Sequence, residues 1–236
     1  MQLPKLTYPT ITITIPNTTT KYMFRPMLVK EEKLLLMAKS SEDETDILST
    51  IKQVVNNTSI DPSFDVNSLP LFILEYIFIK LRGFSIGDEI DVSYKDFEDE
   101  KIYNFKIDLT KIDIRYPETE NKILVSKTSG IIMKYPSATI YDDKEFLKSI
   151  GDESFYKLIV KCIDQVFDET NVYDAKEFPE AELLEFIELM DIKSFEKIRD
   201  YMMNLPTVFH KLEYTNSLGN NRSIELSSLT DFFTLH

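Results

Sequence analysis

The chain has 236 residues, of which 43% are hydrophobic and 12% aromatic, enough for a sizeable core and too apolar for a mainly disordered protein. Lys and Arg number 27 against 40 Asp and Glu, a net charge of −13, which has the wrong sign for displacing phosphate counterions and argues against DNA or RNA as the main ligand. One cysteine, Cys162, and two histidines, His210 and His236, leave no intrachain disulfide, no zinc cluster and little of the usual equipment for nucleophilic catalysis.

Residues 10–15, Thr-Ile-Thr-Ile-Thr-Ile, alternate with period two and are β-branched throughout, as a pleated strand prefers. Pro16-Asn17 marks a turn, Lys21 to Phe24 return as a second strand, and Pro26 ends it. An N-terminal hairpin arm over 1–26 is expected, with an edge that a partner strand could use.

Residues 27–85 read as helical. Val29 to Lys39 carries Glu31 and Glu32 in its first turn and Lys39 in its last, in the sense the helix dipole favours. Ser41 and Glu44 have capping-box spacing, and the helix behind them shows Ile47, Ile51, Val54 and Val55 on one side. The acidic run 42–46 reads as a solvated helix start. Ser68 is expected to cap a third helix, with Pro70 in its first turn and Gly83 past its end. That helix is apolar nearly all round and should be buried on most sides. Residues 69–81 contain Glu75 and Lys80 and are shorter than the roughly 20 residues a membrane span needs. Residues 1–10 lack a basic segment leading into an apolar run, so a protein made and kept in a cytoplasm is expected.

Residues 86–136 read as antiparallel β structure. Glu89 to Tyr94 and Ile102 to Leu109 form a hairpin around a long acidic loop, and Ile112 to Tyr116 extends that sheet. Lys122 to Val125 and Ile131 to Lys134 form a second hairpin through Ser129-Gly130.

Residues 137–206 read as helical again. One helix covers Glu153 to Phe167, with Phe155, Ile159, Cys162, Ile163 and Val166 on one stripe, and Cys162 there is a small buried hydrophobe. The next starts at Phe178-Pro179, turns Leu183, Leu184, Ile187 and Met190 inward, and leaves Glu182, Glu185 and Glu188 on a solvated face. A last long helix covers Ile192 to Asn204.

Residues 207–236 hold a C-terminal hairpin, Val208 to Thr215 with Arg222 to Leu226, joined by the turn-forming run 216–221. Ser227-Ser228 caps a final turn, whose Phe232 and Phe233 are either docked on the core or offered to a partner. The whole reads as a single α+β domain, 1–236: a helical core with short antiparallel hairpins at the N-terminus, middle and C-terminus.

No glycine-rich phosphate loop and no EF-hand loop occurs. The densest acid cluster is Asp96, Glu98, Asp99 and Glu100, and a carboxylate-dependent hydrolase binding a divalent cation there is the alternative function. Lys101, Lys106, Lys111 and Arg115 are interrupted by Asp108 and Asp113, so no clean basic stripe forms. Arg25, between Phe24 and Pro26, could pair a partner's carboxylate or pin the first helix at home.

Phe24-Arg25-Pro26, the run 30–38 Lys-Glu-Glu-Lys-Leu-Leu-Leu-Met-Ala, Leu69-Pro70-Leu71-Phe72, Glu75-Tyr76, Leu81-Arg82 and Ser85-Ile86-Gly87 form a pattern. It continues in Gly130-Ile131-Ile132-Met133-Lys134-Tyr135-Pro136 and Leu229-Thr230-Asp231-Phe232-Phe233. In these segments the chain resembles the baseplate hub subunit and hub-assembly family of T-even-like contractile-tailed phages. The likeness is scattered over nearly the whole chain. It implies a non-enzymatic hub component or assembly chaperone, made in the infected host cytoplasm, with no cofactor and no metal. Its partners would be other tail proteins, such as hub subunits or the tape measure protein. Arg25, Pro26, Tyr135, Phe232 and Phe233 are the candidate partner-binding residues.

Overall fold

The computed structural model describes residues 4, 6–41, 44–143, 146 and 152–232. Glu42 and Asp43 of the 42–46 acidic run lie outside these residues, as do the side chain of Glu44 in the expected capping box, Phe233 and His236. Helices and short antiparallel sheets make the chain mixed α+β, as expected. It divides into two compact units, Met1–Arg115 with Thr207–His236, and Tyr116–Pro206.

In the first unit, strands β1 (Ile11–Thr14) and β2 (Lys21–Phe24) form the expected hairpin. Asn17 turns the chain with φ 59°, a conformation asparagine tolerates better than most residues. The turn after α2 (Glu44–Thr58) adds a bridge, Ser59 opposite Phe24, so β2 is tied to the helical layer. Helix α1 (Val29–Ser40) packs on α2.

Helix α3 (Leu71–Ile86) is the centre of this unit and buries side chains on every face, including Leu74, Ile77, Phe78, Ile79 and Leu81. Its ends differ from the sequence reading. Asp65, not Ser68, caps a single 3-10 turn, Val66–Ser68, and Pro70 is the cap residue of α3 rather than a member of its first turn. Gly83 lies inside the helix, which runs on to Ile86. A methyl group at Gly83 would meet Asp88 and Leu109 at ordinary contact distance, so this glycine has no conformational reason to stop a helix.

Strands β3 (Glu89–Lys95) and β4 (Ile102–Asp108) form the expected central hairpin, with Glu89 opposite Asp108 and Lys95 opposite Ile102. Strand β5 (Asp113–Arg115) does not extend it. It pairs instead with the start of β10 (Thr207–Thr215), which pairs on its other side with β11 (Asn221–Leu226), giving the order β11-β10-β5. Lys80 of α3 reaches the turn between β4 and β5, where its Nζ donates to the carbonyls of Leu109, Thr110 and Ile112 at 2.8–2.9 Å. Those carbonyls belong to the 3-10 turn Leu109–Lys111 and the residue that follows it, and the ammonium satisfies all three.

The second unit is a four-stranded antiparallel sheet in the order β6-β7-β8-β9, with three helices among the described residues. Strands β6 (Lys122–Leu124) and β7 (Gly130–Met133) are the expected hairpin. The helix expected over 153–167 is shorter: α4 covers Asp152–Lys161, and β8 (Ile163–Phe167) follows at once. Strand β9 (Val172–Asp174) turns back along β8, so 137–206 is not helical throughout. Helices α5 (Glu180–Glu188) and α6 (Ile192–Met203) agree with the apolar periodicity. Asp191 caps α6 by accepting from the backbone N–H groups of Lys193 and Ser194. The core here is Ile123, Ile131, Met133, Ile159, Cys162, Ile163, Leu183, Ile187, Ile198 and Tyr201 with their neighbours.

Gly130 sits in the middle of this sheet, opposite Leu124 on one side and Phe167 on the other. A methyl group on it would lie 2.3 Å from the Ile123 carbonyl oxygen and 2.7 Å from the Phe167 ring. The carbonyl belongs to a paired strand and cannot swing away as a side chain could. Gly130→Ala is therefore expected to destabilise the second unit by about 1–3 kcal/mol, as overpacking does. Urea unfolding measures this, and an unchanged midpoint would show that β6 shifts freely.

Candidate interaction surfaces

The acidic loop between β3 and β4 decides how much chemistry the surface can do. Asp96 is fully buried. It accepts hydrogen bonds from the Tyr214 hydroxyl and from the Glu98 backbone N–H at 2.7 Å, with Arg222 Nε at 3.4 Å. Glu98 accepts from the side-chain amides of Asn216 at 2.6 Å and Asn220 at 2.7 Å. Asp99 accepts from the Tyr103 hydroxyl at 2.6 Å, and from the Ser217 backbone N–H at 3.0 Å and hydroxyl at 2.8 Å. Asn216, Ser217 and Asn220 belong to the β10–β11 turn, so the carboxylates staple one hairpin turn to the other.

The electrostatics follow from these contacts. Burial raises the Asp99 carboxyl, but the Tyr103 hydroxyl and the donors of Lys101 and Ser217 overcome it and hold the group far below the ordinary carboxylate range. The Tyr214 hydroxyl is pushed up to about 12, by burial first and then by its bond to Asp96. A carboxylate held ionised and occupied by donors is a poor general acid. Among the described residues no group of three or more His, Cys, Asp or Glu could hold a metal ion. Glu100, in contrast, is exposed, in a left-handed conformation with φ 57° that closes the loop.

Arg25 is engaged within its own unit. Its guanidinium donates to Glu31 through Nη2 at 2.8 Å and Nη1 at 3.3 Å, to the Pro26 carbonyl at 2.9 Å and to the Asn57 carbonyl at 2.8 Å. The Glu31 carboxylate is fully buried and also accepts the Leu28 backbone N–H at 2.9 Å. One side chain thus completes the start of α1 and ties it to β2. Sequence reasoning left Arg25 open between a partner's carboxylate and pinning the first helix at home; it did not name the acceptor, which in the structure is Glu31. Pro26 is half-buried beside this cluster.

Tyr135 lies just past β7 in the second unit and is 39% exposed. Its ring stacks on buried Tyr201 of α6, with planes at 8° and centroids 6.3 Å apart. Burial pushes the Tyr201 hydroxyl well above its ordinary range, so it stays protonated. Phe232 belongs to α7 (Leu229–Phe232), which packs on α3, and its ring is docked at 1% exposure rather than offered to a partner. The Asp231 carboxylate accepts the N–H groups of Ser227 and Ser228, both at 2.9 Å, and so ties the start of this turn together.

Cys162 and His210 are both shifted by burial. Burial pushes the Cys162 thiol up to about 12. Burial also lowers the His210 pKa, Lys111 adding to the effect and Asp108 opposing it. Glu182, Glu185 and Glu188 are all exposed, as expected for a solvated face.

A protein family described as T4 bacteriophage base plate protein matches the chain over residues 8–234. No curated protein and no solved structure matches it.

Proposed function

Because the chain belongs to the T4 bacteriophage base plate protein family, we propose that it is a hub component or hub-assembly chaperone of a contractile tail, acting through protein–protein contacts and catalysing no reaction. Family membership makes it a phage baseplate protein whose partners are other tail proteins. Hub subunits and the tape measure protein are the partners proposed, met in the host cytoplasm while the tail is built. The match covers both compact units, so the reading applies to the whole chain.

The observation that best supports a non-catalytic role is the state of the acid cluster. Asp96, Glu98 and Asp99 are the carboxylates that a cation-dependent hydrolase would use. They accept hydrogen bonds from Tyr214, Asn216, Asn220, Tyr103 and Ser217 instead. Releasing them for a cation would break the link between the two turns.

Deleting the gene and analysing the particles tests the proposal and separates its two forms. A hub component is expected in purified mature tails. An assembly chaperone is expected to be absent from them, with baseplates failing to form without it. Normal tails from the deletion, or substrate turnover by the purified protein that one side-chain replacement abolishes, would refute the reading.

A further inference from the structure

We propose that the two stapled turns present Phe97 and Leu218 as an apolar anchor that enters a pocket, lined by apolar and rimmed by basic side chains, on another protein of the tail. This names the surface through which the proposed function acts and rests on that reading.

Phe97 is 82% exposed and Leu218 is 61% exposed, each within its turn. Turn centres ordinarily carry Gly, Asn, Asp, Ser or Pro, and the fold has no use for a large apolar group there. The Phe97 ring meets the Tyr94 ring edge-on, with centroids 6.2 Å apart, and otherwise faces outward. The residues on either side of these two are held. Asp96 and Glu98 flank Phe97 and are bonded to Tyr214, Asn216 and Asn220. Ser217, beside Leu218, is bonded to Asp99, and the Leu218 backbone N–H donates to the Asn216 side chain at 3.1 Å. Tyr214 anchors the base of the arrangement among the rings of Tyr94, Tyr103 and Phe105.

An aromatic side chain on a rigid turn makes an effective anchor. It brings a large apolar area, and little conformational freedom remains to be lost on binding. Such residues carry a disproportionate share of interface energy. The charge around the anchor selects the partner. Asp96, Glu98, Asp99 and Glu100 outnumber Lys95, Lys101 and Arg222 in and beside these turns, and the whole chain carries −13. A basic rim is complementary to this field, whereas a second copy of the chain is repelled by it.

The test places the photoreactive residue p-benzoylphenylalanine at position 97, with position 172 as control, during phage infection. Val172 is 63% exposed and lies in the other unit. Irradiation at 97 is expected to give one dominant adduct with a tail protein, at least about tenfold stronger than at 172, as a hot-spot anchor requires. The cross-linked peptide should be apolar and flanked by Lys or Arg. The double variant Phe97→Ser with Leu218→Ser should keep the native thermal midpoint but lose tail assembly, and Phe97→Leu should retain it. Equal adducts at both positions, an adduct with a second copy of this chain, or normal tails from the double variant would overturn the anchor. Failure of the broader reading looks different: the gene deletion itself would then leave tails normal.

Discussion

Glu31→Ala is expected to remove about 3–5 kcal/mol of stability from the first unit, the effect of deleting one partner of a buried ion pair. The carboxylate is inaccessible to solvent, and its Arg25 partner is 14% exposed. Without Glu31, the guanidinium keeps the Pro26 and Asn57 carbonyls but carries an uncompensated charge, and the Leu28 N–H loses its acceptor. Glu31→Gln keeps an acceptor for Leu28 and should cost less. Chemical unfolding followed by circular dichroism reads both, and a loss below about 1 kcal/mol for the alanine variant would place the pair with surface salt bridges.

The same site gives a pH dependence of definite sign. Burial raises the Glu31 carboxyl, but the Arg25 hydrogen bond, the Leu28 N–H and the charges of Arg25 and Lys30 outweigh it, leaving the folded-state pKa below the ordinary 4.5. The folded state therefore favours the ionised form. Its contribution is complete above pH 4.5 and is lost as pH falls through the depressed folded value. Native protein should lose stability on acidification below that point more steeply than Glu31→Gln, and parallel curves would contradict the assignment.

Ile77→Ala is the second large effect, expected at about 2–5 kcal/mol. Ile77 is fully buried at the middle of α3, with Leu74, Phe78, Ile79 and Leu81 also buried around the same helix. A helix enclosed on every side has few ways to collapse onto a cavity, so the cost should fall in the upper part of that range. Ile77→Val should cost about 0.5–1.5 kcal/mol. Urea unfolding of the two variants gives the comparison, and equal midpoints would mean that the neighbours relax to fill the space.

The interaction residues divide by how much of their environment is local. Arg25 next to Phe24 and Pro26 allowed either an internal pair or an external one, and only the fold brought Glu31 and Asn57 against it. Phe232 likewise allowed docking or display, and the packing of α7 on α3 decided for docking. The acid cluster was legible as a cluster. That its members bond to residues 118–122 positions away was not, because nothing near residue 98 records the presence of Asn216 or Asn220.

By itself, the sequence determined the α+β class, both faces of most elements and the hairpins β1–β2, β3–β4, β6–β7 and β10–β11, because period-two and period-3.6 patterns and turn residues act over a few neighbours. The same local patterns are ambiguous at 162–167, where Cys162, Ile163 and Val166 suit a helical stripe and the β-branched Ile163 and Val166 suit a strand; pairing of β8 between β7 and β9 settled it. The tertiary structure alone decided that β5 joins β10 rather than β4, that Glu31 closes on Arg25, and that two distant turns are held together. The physical reason is common to all three: strand pairing, burial of a charge and a hydrogen bond each depend on a partner whose arrival is governed by the packing of the whole unit, not by the residues beside it in the chain.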